Sequence, residues 1–428
     1  MTRRLAVVLT VFVVAGAVGC KENLDSGAVC PALCPSQGVA IRDTLIDPVL
    51  VFDSTYVGYP ARGQELAMFL ASRGDTLDVR GVARFDTLTS FYIPAADTAH
   101  TIQRVDSARL RLVLDRTNAR IPSSVTFEAY DVDDTTAADT STAAVLVLFR
   151  PGQLLGTRTF LRDSLTDTLF VPLSDSAVGD KVLNKRHLRV GIRLSGSASV
   201  SLRVQTTERG NPPRVLFRGR GAVKDTTSAT VTDGPSSATP AGMDEPEIRQ
   251  DLTDYQIVAK YGMPQYPNTM SVGGVPGRRA YLRFEIPRYI SDSTTVVRAT
   301  LRLTQRPLPF GEASDTMIVH AHVSLAEASV TDLRRATNII TTAGLLVSDS
   351  LLVTPRDSGL RTFELFALVR GWTVQNALVN PPPHAIILRA SPEGILPLEA
   401  RFWSTTAGPG LRPVMQVSYI PRVNFGVP

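Results

Sequence analysis

An all-β fold of two tandem β-sandwiches is what this sequence predicts, and three observations lead to it. The apolar residues recur with period two. In Tyr281 to Ile286, Leu282, Phe284 and Ile286 fall on one side of a strand and Tyr281, Arg283 and Glu285 on the other. Ala299, Leu301 and Leu303 alternate with Thr300, Arg302 and Thr304, and Met415, Val417 and Tyr419 with Val414, Gln416 and Ser418. Secondly, these runs are short and separated by Gly, Pro and Asp turns, the spacing of a sandwich, while helix-period stretches are scarce. Thirdly, the two halves resemble each other at an offset that drifts only from 191 to 200 residues. Phe91-Tyr92-Ile93-Pro94 matches Phe284-Glu285-Ile286-Pro287. Val105, Ala108, Leu110, Arg111 and Leu112 match Val296, Ala299, Leu301, Arg302 and Leu303. Val125, Phe127 and Ala129 match Met317, Val319 and Ala321, and Arg203 and Pro213 match Arg401 and Pro413. Matches that keep chain order point to duplication.

Taken in order, residues 1–19 have the layout of a secretory signal: Arg3 and Arg4, then an apolar run from Leu5 to Val14 too short to span a bilayer comfortably. Ala17-Val18-Gly19-Cys20 resembles the bacterial lipobox, with Ala17 where leucine is usual. That resemblance implies acylation of Cys20, which becomes the mature N-terminus, and Lys21 in place of a retention aspartate implies sorting to the outer membrane. An ordinary signal peptide or one anchoring helix is the competing reading. Residues 20–40 are rich in Gly, Ser, Pro and Ala and read as a tether. Within them Cys30 and Cys34, in Cys-Pro-Ala-Leu-Cys-Pro, read as a small disulfide loop in an oxidising compartment; a metal site is the alternative, with no second cysteine pair to support it. A first sandwich is expected over 41–220. Residues 221–251 carry few large apolar side chains and read as a flexible linker, and a second sandwich follows over 252–428.

The formal net charge is +5, of which Arg3 and Arg4 supply two, so the mature chain is nearly neutral. Its arginines are scattered singly along strand-like runs without interleaved aromatics, which excludes a nucleic-acid surface from expectation. No other apolar run approaches transmembrane length. The expected membrane partner is therefore reached through lipid alone.

Three islands carry a family resemblance. Arg279 to Pro287 followed by Val297 to Leu303 is similar to the opening strand pair of the DNRLRE domain; Phe363 to Trp372 is similar to its short helical crossover; Ala400 to Ser404 with Arg412 to Tyr419 is similar to its closing strands. The resemblance covers about residues 255 to 420, and the first half reads as a diverged copy, with Val178 near the place of Trp372 and Pro172 interrupting the crossover. It implies two tandem jelly-roll-like β-sandwich domains, related to modules that bind extracellular polysaccharide or build surface proteins. It implies no chemistry by the module itself and carries over no ligand residues.

The candidate glycan site is Trp403 with Arg401, which strict alternation sets on the face opposite Phe402; a solvated face there would let the indole stack on a sugar ring while the guanidinium bonds a hydroxyl or carboxylate. Packing under a loop or on the other sheet is the competing reading. Trp372, at helical spacing from Phe363, Phe366 and Val369, reads as core. His320 and His322 share a strand face that is expected to be solvated, and they lack a third metal ligand. Asp131, Asp133 and Asp134 read as a solvated acidic loop, since the glycine and terminal glutamate of an EF-hand are missing. No G-x-S-x-G, H-E-x-x-H or G-x-x-x-x-G-K occurs, and the scattered acids nominate no glycosidase pair. The expectation is a non-catalytic, cofactor-free lipoprotein of the surface or periplasm that binds polysaccharide, or alternatively a structural or assembly lipoprotein contacting envelope proteins.

Overall fold

The computed structural model describes residues 41–47, 54–94, 98–133, 141–196, 198–222, 227–237, 252–261, 266–308, 315–324, 347–375 and 385–422; Cys20, Cys30, Cys34 and Asp134 lie outside them. The strands of the first part are β1 (Arg42–Ile46), β2 (Ser54–Tyr59), β3 (Ala67–Arg73), β4 (Leu77–Phe85), β5 (Phe91–Tyr92), β6 (His100–Thr101), β7 (Arg104–Arg120), β8 (Ser124–Asp131), β9 (Leu154–Leu161), β10 (Thr168–Leu173), β11 (Leu188–Ser195), β12 (Val200–Gln205), β13 (Arg214–Arg220), β14 (Ser228–Asp233) and β15 (Asp254–Tyr261). They continue as β16 (Thr269–Gly273), β17 (Gly277–Arg283), β18 (Thr294–Arg306), β19 (Met317–Ser324), β20 (Val347–Val353), β21 (Gly359–Glu364), β22 (Ala385–Ser391), β23 (Glu399–Trp403) and β24 (Val414–Pro421). The helices are α1 (Thr142–Leu146), α2 (Asp175–Leu183), α3 (Arg288–Ser293) and α4 (Phe366–Gln375).

Alternation builds an all-β sandwich fold of curled antiparallel sheets. In β7, Val105, Ala108, Leu110, Leu112 and Leu114 are buried while Arg109 and Arg111 face away. The first part of this long strand pairs with β10 and β13 and its later part with β12, so the sheet turns over on itself and encloses one apolar cluster. In the second half β18 does the same between β21, β24 and β23. A helix in each crossover packs against the apolar cluster of its half. Ser174 caps α2 by accepting from the Ala177 amide, and Val178 and Val182 are buried beneath it. The counterpart α4 buries Trp372 to 2% exposure in the second cluster, the core role its spacing predicted. Pro172 is tolerated inside β10 because, among the described residues, that strand pairs with β7 alone.

The two sheets correspond strand for strand. One runs β14-β13-β7-β12-β3-β4-β11-β8-β9, with β10 on β7 and β15 on β4; the other runs β1-β24-β18-β23-β16-β17-β22-β19-β20, with β21 on β18 and β2 on β17. Registers bear out most of the repeat matches: Ile192 stands opposite both Gly81 and Ala129, as Leu388 stands opposite both Ala280 and Ala321. Those same registers correct the match of Phe91 with Phe284. Phe284 follows β17 as Phe85 ends β4, whereas Phe91 lies in the small β5–β6 pair. The shared Phe-x-Ile-Pro motif belongs to connections of different length.

The expected domain boundaries also need correction, because the halves exchange strands. Strands β1 and β2, placed by sequence in the first domain, pair with β24 and β17 of the second sheet. In return β15, placed in the second domain, lies along β4 of the first sheet. Part of the expected linker is structured as well. Strand β14 pairs along β13 from Val215↔Asp233 to Arg220↔Ser228, and Ala229 and Val231 pack on the first cluster. Edge strands need backbone partners and one modestly apolar row, so a polar composition did not exclude it.

Between the sheets lies a smaller cluster. Ala67, Phe69, Ala71, Leu77 and Val79 of β3 and β4 meet Val275 and Ile395, with Val258 and Tyr261 of β15 alongside. Gln256 spans the junction: its Oε1 accepts from the Phe69 amide at 2.8 Å and its Nε2 donates to the Gly394 carbonyl at 2.7 Å.

Candidate functional site

Along β23, Ala400 and Phe402 point into the core, which leaves Glu399, Arg401 and Trp403 in one row on the opposite face. Strand β18 ends beside this row, with Arg306 opposite Arg401. The Arg306 guanidinium lies 4.7 Å from the Trp403 ring centroid and 4.6 Å from that of Tyr266, and Arg401 lies 4.6 Å from Tyr266. Cations and rings thus alternate, each cation facing the negative side of a π-system.

The row ends in a buried ionic knot. Glu399 is fully buried and accepts from Arg401 Nε and Nη2, both at 3.2 Å, from Arg278 Nη1 and from the Tyr261 hydroxyl. Burial and the Glu399 charge push the Tyr261 hydroxyl far above its ordinary pKa, so it donates throughout the physiological range. Tyr261 belongs to β15, so this knot ties the exchanged strand to the second sheet.

Trp403 is half-buried at the outer end of the ladder, but Arg401 is 1% exposed. The expectation that Arg401 bonds a sugar is corrected: its guanidinium is committed to Glu399 and Tyr266. Alternation assigned its face correctly, yet gave no sign that Tyr266 and the ionic knot cover that face.

The other nominated residues are also more enclosed than expected. His322 is 2% exposed rather than solvated, and its Nε2 accepts from Arg389 Nε at 3.3 Å. His320 is partly buried with its ring centroid 5.8 Å from that of His322; burial, aided by Arg389, lowers its pKa. A fixed guanidinium beside both imidazoles opposes a metal cation, and among the described residues no group of three or more His, Cys, Asp or Glu is placed to hold one. Asp131 and Asp133, expected in a solvated loop, are largely buried and share Lys181 Nζ at 3.0 Å each. That lysine sits on α2, remote in sequence, which is why the cluster read as solvated.

Sequence reasoning missed a second set of acids at the start of β3 and β15. Glu65 is buried with Oε2 accepting from the Gly63 amide at 2.6 Å, and burial, helped by Glu208, pushes its pKa up to about 8. Asp254 is buried and accepts from the Thr207 amide at 2.9 Å; burial and Glu208 raise it to about 6. Among the described residues neither makes an ion pair. Isolated acids next to alternating runs are so common that no local signal marks these two.

No family model matches the chain, and no curated protein does. Among solved structures, infectious bursal disease virus Gt strain is similar over 92% of this chain and 79% of its own, at 11% identity and a TM-score of 0.14. The N-terminal CBM22-1-CBM22-2 tandem domain of Paenibacillus barcinonensis Xyn10C is similar over 89% of this chain and all of its own, at 9% identity and a TM-score of 0.16. Scores this low carry no functional argument. Among the described residues no helix is long and apolar enough to cross a membrane.

Proposed function

We propose that the protein is a non-catalytic structural or assembly lipoprotein of the bacterial envelope, with a DNRLRE-like second half, lipid on Cys20, an outer-membrane location and envelope proteins as partners. One observation supports this reading above the others: each sheet is completed by strands that the sequence places with the other one. A module that only binds sugar needs one closed sandwich. Exchanged strands add something else, resistance to pulling the halves apart, since separating them breaks three strand pairings as well as an apolar junction.

Polysaccharide binding is the second reading, favoured by one specific observation: Trp403, Arg306 and Tyr266 form a partly exposed aromatic and cationic strip. Affinity electrophoresis on acidic and neutral polysaccharides separates the two. The structural reading expects equal mobility with and without polysaccharide. Retardation of the wild type that disappears in Trp403→Ala, with an unchanged melting temperature, would replace it by the polysaccharide reading.

A further inference from the structure

The two exchanged segments are not held alike. In β15, Asp254, Tyr255 and Ile257 are buried, and Tyr255 and Ile257 pack with Val145, Leu148 and Phe149 around α1. In β1 only Ile46 is buried, while Arg42, Asp43 and Leu45 are exposed. Beyond Ile46, β1 is held by its pairing along β24 and by polar contacts: Ser418 Oγ donates to Asp43, Arg412 Nη2 meets Asp47 Oδ2 at 2.8 Å, and Thr44 Oγ1 lies 3.3 Å from the Tyr289 hydroxyl. Few buried apolar contacts and many edge hydrogen bonds mark a segment that opens well below the global unfolding free energy.

What joins this arm to the rest is a short bend. Residues 60–66 turn tightly, with the Gln64 amide bonded to the Ala61 carbonyl at 3.0 Å and Gly63 at φ +80°. They bury the Glu65 carboxyl without an ion pair among the described residues. Straightening the bend returns that carboxyl to water, where it ionises. A short connection with a built-in cost is the known setting for exchange between identical chains, because the strand pairings lost within one copy are regained in the other.

We propose that the N-terminal arm, β1 and β2, is a donor that completes the second sheet of a neighbouring copy of this chain, along the edges of β24 and β17. This rests on the assembly reading and names its first partner, a second copy. The donor and acceptor edges lie far apart in sequence, with Asp43 and Ser418 separated by 375 positions, so their register is set by the folded sheet and not by a local turn, and a second copy presents the same edges. Copies tethered by lipid to one membrane would meet at high local concentration, and exchange follows concentration.

Paired cysteines test this. In full-length protein with Cys20, Cys30 and Cys34 replaced by serine, one preparation carries Asp43→Cys and a second Ser418→Cys; the two are mixed, refolded together and oxidised. Asp43 stands directly opposite Ser418 in the β1–β24 register, so a disulfide between the two chains requires the arm of one in the sheet of the other. The expected result is a mixed-chain dimer on a non-reducing gel, rising in proportion to concentration and absent when Thr230→Cys on β14 replaces Ser418→Cys. The double variant, Asp43→Cys with Ser418→Cys, should close within its own chain at high dilution. No mixed dimer at any concentration while the double variant closes would overturn the proposal, as would equal yields with the β14 control. A double variant that fails to close would overturn it too, by removing the register on which it depends. None of these results alters mobility on polysaccharide, so exchange and the assembly reading fail separately.

Discussion

Replacing Glu65 by glutamine should flatten the decline of stability as pH rises above 4.5. In the folded chain burial pushes the pKa of this carboxyl up to about 8, against the ordinary glutamate value of 4.5 in the unfolded chain. Between those values the native state holds a proton that the unfolded state has lost. Unfolding then releases a proton, and stability falls as pH increases, by about 1.4 kcal/mol per unit. At pH 7 the accumulated penalty is of the order of 3 kcal/mol, and it stops growing once pH passes the folded value. Glutamine has nearly the same shape, keeps an oxygen for the Gly63 amide and carries no charge. Thermal and urea melts of wild type and Glu65→Gln should coincide within about 1 kcal/mol at pH 4.5 to 5 and diverge to about 3 kcal/mol by pH 7 to 8, with the variant more stable. For a unit of this size that is roughly 6 to 12 °C in Tm. Asp254 and Glu208 titrate in both proteins, so the difference between the curves isolates Glu65. Parallel curves, or a variant less stable at pH 8, would refute the claim that Glu65 is buried as an unpaired acid.

Other expectations follow from the same geometry. Trp372→Ala should cost about 3 to 5 kcal/mol through lost transfer energy and a cavity, whereas Trp403→Ala should stay within about 1 kcal/mol, both read by urea melts. Glu399→Gln leaves Arg278 and Arg401 buried without their counter-charge and should cost roughly 3 to 5 kcal/mol; a melt matching wild type would refute that knot. Protease nicking within residues 238–251 should yield two fragments that co-elute on size exclusion and separate only in denaturant, because strands cross between the halves. Metabolic labelling with a fatty-acid probe should mark the wild type and not Cys20→Ser.

The sequence was most informative where a residue's setting depends on its own strand. Leu110 and Leu301, or Ala129 and Ala321, announce their inward face by period two, and their equivalence survives in the registers. Hydrogen-bonding edges carry no such mark. Nothing in Arg42 to Ile46 distinguishes a strand that pairs with β13 from one that pairs with β24, so the exchange was invisible. The site was legible to the same degree. Alternation put Trp403 and Arg401 on one face, but the burial of Arg401 depends on Tyr266, Arg278 and Glu399 arriving from separate segments. Likewise Lys181 neutralises Asp131 and Asp133 only once α2 has docked.

The pairing of the first strand with the last also sets the path of mechanical load. Tension applied on the N-terminal side of β1 would pass into the sheet at Arg42, where β1 lies antiparallel to β24 with Arg42 opposite Tyr419. It would therefore reach the sheet containing the chain's C-terminal strands before the one built from residues 67 to 261. Along that line of force the two sandwiches come in the reverse of their order in the chain. A partner pulling on the β3–β15 sandwich would load the grip of β1 on β24 and the central junction in series, and β1, with Ile46 alone buried, is the element that yields first.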